Sequence, residues 1–262
     1  MVCPLCDGNE RHVVYAGRDM TAVQCCACGL VYQLQDATSH GALDAYYRNR
    51  PTQDRLKWDG STRRLRDVID DIRRSYPGGR LLDAGCGSGE FVQVMAEAGL
   101  ECVGVEPNTV QAEYAQERGL HVINDVFRDG LFPPGSFDVV TLIQVMEHLL
   151  DPVGALRAAR ALLRPGGMVV IDVPGYNNPR FLLYRATHIK RFAARDFIRP
   201  HVLYLTPRTL AAIVEKSGLR VARWTCGRYV VKFGANPFFR LADRLARRFR
   251  IGGIVMYAVR SD

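Results

Sequence analysis

From about residue 61 the chain alternates between amphipathic stretches and short apolar runs, and that alternation limits it to few architectures. Residues 61–76 repeat apolar positions at helical spacing and stop at Pro77-Gly78-Gly79. An apolar strand at 80–83 then enters a glycine turn, followed by a helix at 90–98, a strand at 101–105, a helix at 109–117 and a short strand at 121–123. Beyond the Pro133-Pro134-Gly135 turn come a strand at 137–143 and a helix at 153–163. Arg164-Pro165-Gly166-Gly167 stops that helix before a strand at 168–173. Alternating strands and helices predict an α/β fold, a mostly parallel sheet with helices on both faces. Such sheets hold ligands at the carboxyl ends of their strands, near the switch in strand order.

The glycine turn narrows the ligand. Gly85, Gly87 and Gly89 read G-x-G-x-G, whereas the dinucleotide fingerprint G-x-G-x-x-G would put its last glycine at 90. Glu90 stands there, and Asp83 precedes the loop. A carboxylate at the helix start repels a pyrophosphate, and one at the strand end before the loop suits a cation. S-adenosylmethionine carries a sulfonium and an ammonium and no phosphate. Glu106 ends the next strand 21 residues after Gly85, where a carboxylate takes ribose hydroxyls. Asp125 follows the third strand, placed to accept from an adenine amino group. Cys86, Pro107, Val126 and Gln144 flank this set and complete the predicted cofactor contacts. Cys86 also reads, with Cys102 and Cys226, as a small core residue within or beside an apolar run.

Ahead of this region lies a different signature. Cys3-x-x-Cys6 and Cys25-x-x-Cys28 are separated by eighteen residues, the spacing of a zinc ribbon. A two-residue gap lets both sulfurs of a knuckle reach one tetrahedral ion. Cys26 lies one residue from Cys28, so Cys25 is the better ligand, and Gly29 eases the turn. Strands are expected at 11–15, 21–24 and 30–32. Residues 1–33 thus form a predicted ribbon around structural zinc, 34–60 a polar linker whose Tyr46 and Tyr47 either cover the cofactor or pack on the surface, and 61–262 the large domain.

No apolar run reaches the length of a membrane span, and Met1-Val2-Cys3-Pro4 offers neither the basic nor the apolar part of a signal peptide. A reducing cytoplasm is expected, where paired cysteines bind metal rather than each other. The formal net charge of +8 is concentrated late. The 176–200 insertion interleaves Arg180, Arg185, Lys190 and Arg191 with Phe181, Tyr184 and Phe192, and reads as a substrate lid. Residues 237–251 contain a basic amphipathic segment with Phe238, Leu241, Leu245 and Phe249 on one helical face. It either meets an anionic acceptor or lipid surface, or packs on the domain with its arginines in water.

The stretches "LLDAGCGSGEF", "VGVEPN", "FDVVTLIQVMEHLLDP", "LLRPGGMVVIDVP" and "HVLYLTPRTL" together resemble the class I S-adenosylmethionine-dependent methyltransferases over about residues 60–220. They are most similar to the group that includes ubiquinone-biosynthesis O-methyltransferases and natural-product and sugar methyltransferases. The resemblance implies a Rossmann-like seven-stranded sheet ending in an antiparallel hairpin, with strands at 219–225 and 253–259. It implies methyl transfer to a small-molecule or glycan acceptor, with oxygen as the favoured atom; the basic segments leave an anionic or lipid-linked acceptor open. A hydroxyl acceptor must lose a proton, and the base is expected after the fourth strand, where Glu147 and His148 lie. His148 is the expected base; otherwise the pair braces its loop. His201, ahead of the helix capped at Thr206-Pro207, either faces the acceptor pocket, as in the resembled group, or bonds a loop carbonyl. Relatives that methylate the terminal ribose of small RNAs hold a divalent metal with Glu-x-x-Glu-His and a later His, but Gln144 replaces the first carboxylate here. Two rivals remain: an RNA methyltransferase whose ribbon and basic surfaces grip phosphates, and a non-catalytic cofactor-binding assembly protein.

Overall fold

The computed structural model describes residues 2–17, 20–34, 45, 48, 63–176, 197, 201–227, 248 and 252–260. The predicted lid tyrosines Tyr46 and Tyr47, most of the 176–200 insertion and nearly all of the 237–251 basic segment lie outside them. Three short strands come first: β1 (Arg11–Ala16), β2 (Thr21–Cys25) and β3 (Val31–Gln33). Then follow α1 (Arg63–Ser75), β4 (Arg80–Ala84), α2 (Glu90–Glu97), β5 (Glu101–Val105), α3 (Thr109–Glu117), β6 (Val122–Ile123) and β7 (Phe137–Ile143). A single 3-10 turn (Met146–His148) leads to α4 (Pro152–Leu162), β8 (Leu163–Val173), β9 (Leu203–Tyr204), α5 (Pro207–Lys216), β10 (Leu219–Gly227) and β11 (Gly253–Arg260).

The large sheet has seven strands in the order β10-β11-β8-β7-β4-β5-β6. β4 through β8 run parallel, and β11 lies antiparallel between β8 and β10. The chain starts at β4, builds outward to β6, then returns to β4's other side with β7. The switch in strand order therefore falls between β4 and β7, beside the glycine loop.

Alternation along each strand separates two apolar layers. Leu81 and Val139 join α1, α2 and α3 through Val68, Ile72, Phe91, Met95 and Ala112. Leu82 and Val140 join α4 and α5 through Leu156, Leu162, Leu210 and Ile213. β8 begins at Leu163, earlier than the expected residue 168. Leu163 pairs with Phe137 and Met168 with Val139, so Arg164–Gly167 forms an irregularity inside one ladder rather than a linker before it.

The N-terminal strands do not stand alone. β1, β2 and β3 form an antiparallel sheet that β9, from the far end of the large domain, completes as a fourth strand. Leu5, Val23, Leu30 and Tyr32 share one apolar cluster with Leu203, Leu205 and Leu210. A smaller aromatic cluster adds Tyr15 stacked on Phe197, with Tyr176 and Tyr204 beside them. The ribbon is too small to bury a core of its own and shares that of the α4–α5 face. Among the described residues no helix is long and apolar enough to cross a membrane.

Candidate functional site

The four predicted ligand cysteines converge: the Sγ atoms of Cys3, Cys6, Cys25 and Cys28 all lie within 4.8 Å of one another. Cys3 and Cys28 approach to 3.6 Å, and Cys6 and Cys25 to 3.5 Å. Sulfurs at about 2.3 Å from a tetrahedral ion sit about 3.8 Å apart, whereas a disulfide needs about 2.05 Å. The two knuckles repeat one hydrogen-bond pattern. Cys3 N donates to Gly8 O and Cys25 N to Leu30 O, while Asp7 N donates to Cys3 O and Gly29 N to Cys25 O. Both residues four past the first cysteine take positive φ, 78° at Gly29 and 60° at Asp7. The glycine was legible in the sequence; Asp7 in the equivalent strained position was not. Burial, then the neighbouring thiols, push Cys28 upward, and burial also raises Cys3. Against burial, the amides of Cys28 and Ala27 and the Cys6 thiol bring Cys25 down to about 7. Four converging sulfurs cannot all ionise without a cation among them. Cys26 stays outside this cluster, exposed, its Sγ 3.9 Å from His12 Nδ1.

At the carboxyl end of β4 the glycine loop bends with φ of 76° at Gly85 and 56° at Gly87, a region open to glycine and costly for other residues. A Cβ on Gly85 would sit 2.6 Å from Val145 Cγ2, so the loop after β7 presses directly on the glycine loop. Gly89 has a different task. It precedes α2 with φ 82°, and a Cβ there would meet Leu120 and Ala115. It provides the close helix packing that the dinucleotide fingerprint assigns to its third glycine, one position earlier.

Behind the loop lie two buried carboxylates. Glu106 Oε2 accepts from Gly87 N and Oε1 from Asn108 N, both at 2.8 Å, so this side chain fixes the loop to the end of β5. Burial raises its pKa, and those two amides hold it back. Asp83 is fully buried and accepts from Thr141 Oγ1 at 2.6 Å. Burial lifts it to about 7, opposed by the Thr141 bond and supported by the charges of Glu106 and Glu90. Among the described residues neither carboxylate is paired with a cation. Asp125 lies at the rim, bonded to Val126 N and to Arg128. The Val126 amide, followed by Arg128, lowers its pKa. Cys86 turns its thiol beneath the loop against Gly104 and bonds its amide to Val105 O, in keeping with its reading as a core residue. Pro107 lies between Glu106 and Asn108, whose side chain caps α3 through Gln111 N.

Beyond β7, Gln144 is held at φ 58°. Its amide donates to Asp172 O at 2.7 Å, and its Nε2 donates to Asp172 Oδ2 at 2.9 Å. The side chain expected at the cofactor is thus engaged with the end of β8. Asp172 was missed in the sequence, although a lone carboxylate in "MVVIDVP" was a usable signal. The Gln144 turn sends the chain into the 3-10 helix, which buries Glu147 and leaves His148 partly exposed. Glu147 Oε1 lies 3.8 Å from His148 Nε2. The His148 and His201 rings meet edge to face with centroids 4.9 Å apart. Ligand atoms of Glu147, His148 and His201 all fall within 4.8 Å of one another. Burial alone holds His201 down to about 4, so it is neutral at physiological pH.

A family model described as a methyltransferase domain matches residues 57–223. The ubiquinone biosynthesis O-methyltransferase of Aeromonas salmonicida is 31% identical over 164 residues, covering 59% of this chain and 68% of that enzyme. The chain belongs to the methyltransferase-domain family. It is a class I S-adenosylmethionine-dependent methyltransferase. The same fold is seen in the Burkholderia thailandensis 1,6-didemethyltoxoflavin-N1-methyltransferase, at 18% identity and a TM-score of 0.57 over 97% of this chain and 100% of that one. It is seen again in the [4+2]-cyclase SpnF, at 18% identity and a TM-score of 0.56 over 79% and 83%. A cyclase on this scaffold is a reminder that the fold alone does not fix the reaction.

The residues of this methyltransferase fit its cofactor. Gly85 and Gly87 give the loop its positive-φ bend at the strand end, and Asp83 and Glu106 offer negative charge that burial makes costly until a cation arrives.

Proposed function

We propose that this methyltransferase acts on a hydroxyl oxygen of a small-molecule or glycan acceptor, with His148 as the general base. The observation that carries the reading is the convergence of Glu147, His148 and His201 within 4.8 Å, on a loop that touches Gly85 through Val145. Glu106 and Asp83 hold the cofactor, with Asp125 at its rim. When bound, S-adenosylmethionine supplies a methyl group on a sulfur that is already a good leaving group. The chain's own task is to align the acceptor and to remove its proton.

His148, partly exposed, takes that proton at an imidazole nitrogen. The buried Glu147 carboxylate, 3.8 Å away, stabilises the imidazolium that results. His201, kept neutral by burial, orients the acceptor or the His148 ring and competes little for the proton. The oxygen preference rests on likeness to the ubiquinone-biosynthesis O-methyltransferases, of which the chain spans about two thirds. The same reading gives the four-cysteine cluster one structural zinc ion, for which the sulfur spacing is the support.

The test is formation of S-adenosylhomocysteine with phenolic and glycosidic acceptors. His148→Ala is expected to lower kcat by roughly 10²–10⁴-fold while cofactor affinity holds, as loss of a general base does. His201→Ala is expected to raise KM more than it lowers kcat. Unchanged turnover in His148→Ala removes the base assignment. Loss of activity in chelator with recovery on added Mg²⁺ replaces it with a metal-assisted reaction at the same three side chains.

A further inference from the structure

We infer that the four-cysteine ribbon is the positioning element of the transfer site: its third strand clamps residues 201–205 against the Glu147 turn and so sets His201 beside His148. This rests on the reading of those histidines proposed above. It goes beyond treating the ribbon as a fold staple or as a surface for substrate.

A continuous ladder of backbone hydrogen bonds carries it. β2 ends in Cys25, one of the four converging cysteines, and pairs with β3 through Gln24↔Val31, Val23↔Tyr32 and Ala22↔Gln33. β3 pairs onward with β9 through Val31↔Tyr204 and Tyr32↔Leu203. Gln33 N donates to Val202 O at 2.8 Å, and Val202 N donates to Glu147 O at 2.7 Å. Val202 therefore bridges the ribbon and the candidate base loop, using both of its main-chain groups. His201 is its immediate neighbour. One step further along, Tyr176 N donates to Leu205 O, fastening the same segment to the chain beyond β8. The first knuckle grips the element after the strap: Lys216, at the end of α5, donates to Leu5 O and pairs with Asp7 at 3.1 Å.

Burial of Val202, Leu203 and Leu205 in the shared apolar cluster holds the same segment from its side chains, and the ladder sets its backbone. β9 is two residues long, and it borders the 177–200 stretch, of which only Phe197 is described. A two-residue strand gains its geometry from the strand it joins, and β3 is itself three residues long. A ribbon of this size, whose core is shared, gains order from a metal held at its cysteines. Metal at the cysteines, order in β3 and the place of the His201 ring are thus linked through main-chain bonds rather than through any side chain at the site.

The experiment is hydrogen–deuterium exchange on the full chain, with zinc content measured alongside. Three samples are compared: the metal-replete protein, the protein stripped of zinc, and Gln33→Pro. Proline at 33 removes the one N–H that donates to Val202 and leaves every cysteine and the β2 side of the strand in place, since Leu34 N, not Gln33 N, bonds to Thr21 O. Gln33→Ala, which retains that N–H, is the rescue control. Stripping zinc is expected to abolish protection at 202–204 and to weaken it at 146–149. Gln33→Pro is expected to speed exchange at 202–204 by roughly five- to tenfold, the worth of one such bond, with zinc retained. Gln33→Ala should match the parent. In Gln33→Pro, exchange at 83–90 and affinity for S-adenosylhomocysteine should stay at parental values, a selectivity that general destabilisation cannot produce. Parental protection at 202–204 in Gln33→Pro overturns the inference, and so does uniform loosening of 83–90 with it. A wild-type chain that holds no zinc overturns the zinc reading but leaves Gln33→Pro to judge the clamp.

Discussion

Asp83, Glu106 and the glycine loop between them occupy 24 consecutive residues, whereas Glu147 meets His201 across a stretch of 55. The first group sits on adjacent parallel strands, β4 and β5, paired from Arg80↔Glu101 to Ala84↔Val105. Its geometry is that of a strand–loop–helix–strand unit, with Glu106 bonded back to the loop it follows. The second group is assembled from a turn after β7 and a strap ahead of α5, joined by Val202 and backed by a strand from the far N-terminus. Contiguity gives the proposed cofactor half its geometry locally. The proposed transfer half depends on long-range pairing, so it is the half that distant changes should disturb.

The largest test of this contrast is removal of a ribbon cysteine. Cys28→Ser should abolish binding of one zinc per chain, which in isolated zinc modules is worth about 10–16 kcal/mol of apparent binding energy. The N-terminal strands should lose their order while cofactor affinity survives, as calorimetry and metal analysis would reveal. A fully folded, metal-free wild type speaks against the zinc site itself.

Next in size is the anchor of the other half. Glu106→Ala removes a buried carboxylate and strands the amides of Gly87 and Asn108. Cofactor binding should weaken by about 1–3 kcal/mol, measured by calorimetry, with metal content intact. Equal loss of zinc and cofactor in both variants would erase the distinction between the halves.

A smaller effect should appear with pH. Burial lifts Asp83 to about 7 in the free protein. On the proposed cofactor assignment a bound sulfonium favours its ionised form. As pH falls through 7 the carboxyl takes up a proton and the cofactor must displace it. Affinity for S-adenosylmethionine should therefore decline on acidification from pH 8 to 6, by roughly up to tenfold per unit below 7. S-adenosylhomocysteine, neutral at sulfur, should decline less. In Asp83→Asn the difference between the two ligands should vanish; a pH-independent wild type removes the assignment.

The smallest is a cap. Thr206 and Thr209 form a reciprocal capping box at the start of α5, directly after the strap. Thr206→Ala should cost about 1 kcal/mol of stability in thermal unfolding, without changing cofactor affinity. A loss of affinity would mean that the strap and the cofactor half are coupled after all.

Much of the fold was legible because its signals are local. Short apolar runs between helical stretches gave the core strands, and the glycines gave the loop. The cysteine spacing gave the converging sulfurs, and Thr206-Pro207 gave the start of α5. The hairpin of β10 and β11 lay where the resemblance implied. Local signals also fell short. Arg164-Pro165-Gly166-Gly167 marks the end of α4 as expected, yet β8 already begins at Leu163, because pairing with Phe137 outweighs turn propensity. Gln144 reads as a ligand contact by position, and its bond to Asp172 on the neighbouring strand was not foreseen. Asp172 sits 28 residues away, and nothing in the local pattern joins the two.

The sequence alone determined the chemistry available at each strand end: acidic groups suited to a cation after β4 and β5, an imidazole and a carboxylate after β7, four thiols in two knuckles. Those depend on residue type and short spacing, which covalent geometry and periodicity transmit directly. The tertiary structure decided which groups meet. β3 and β9 total five residues and carry no pattern that could announce their pairing. They find each other because the ribbon's apolar face, Leu5, Leu30 and Tyr32, buries against the α4–α5 side, and that burial brings β3 alongside residues 202–204.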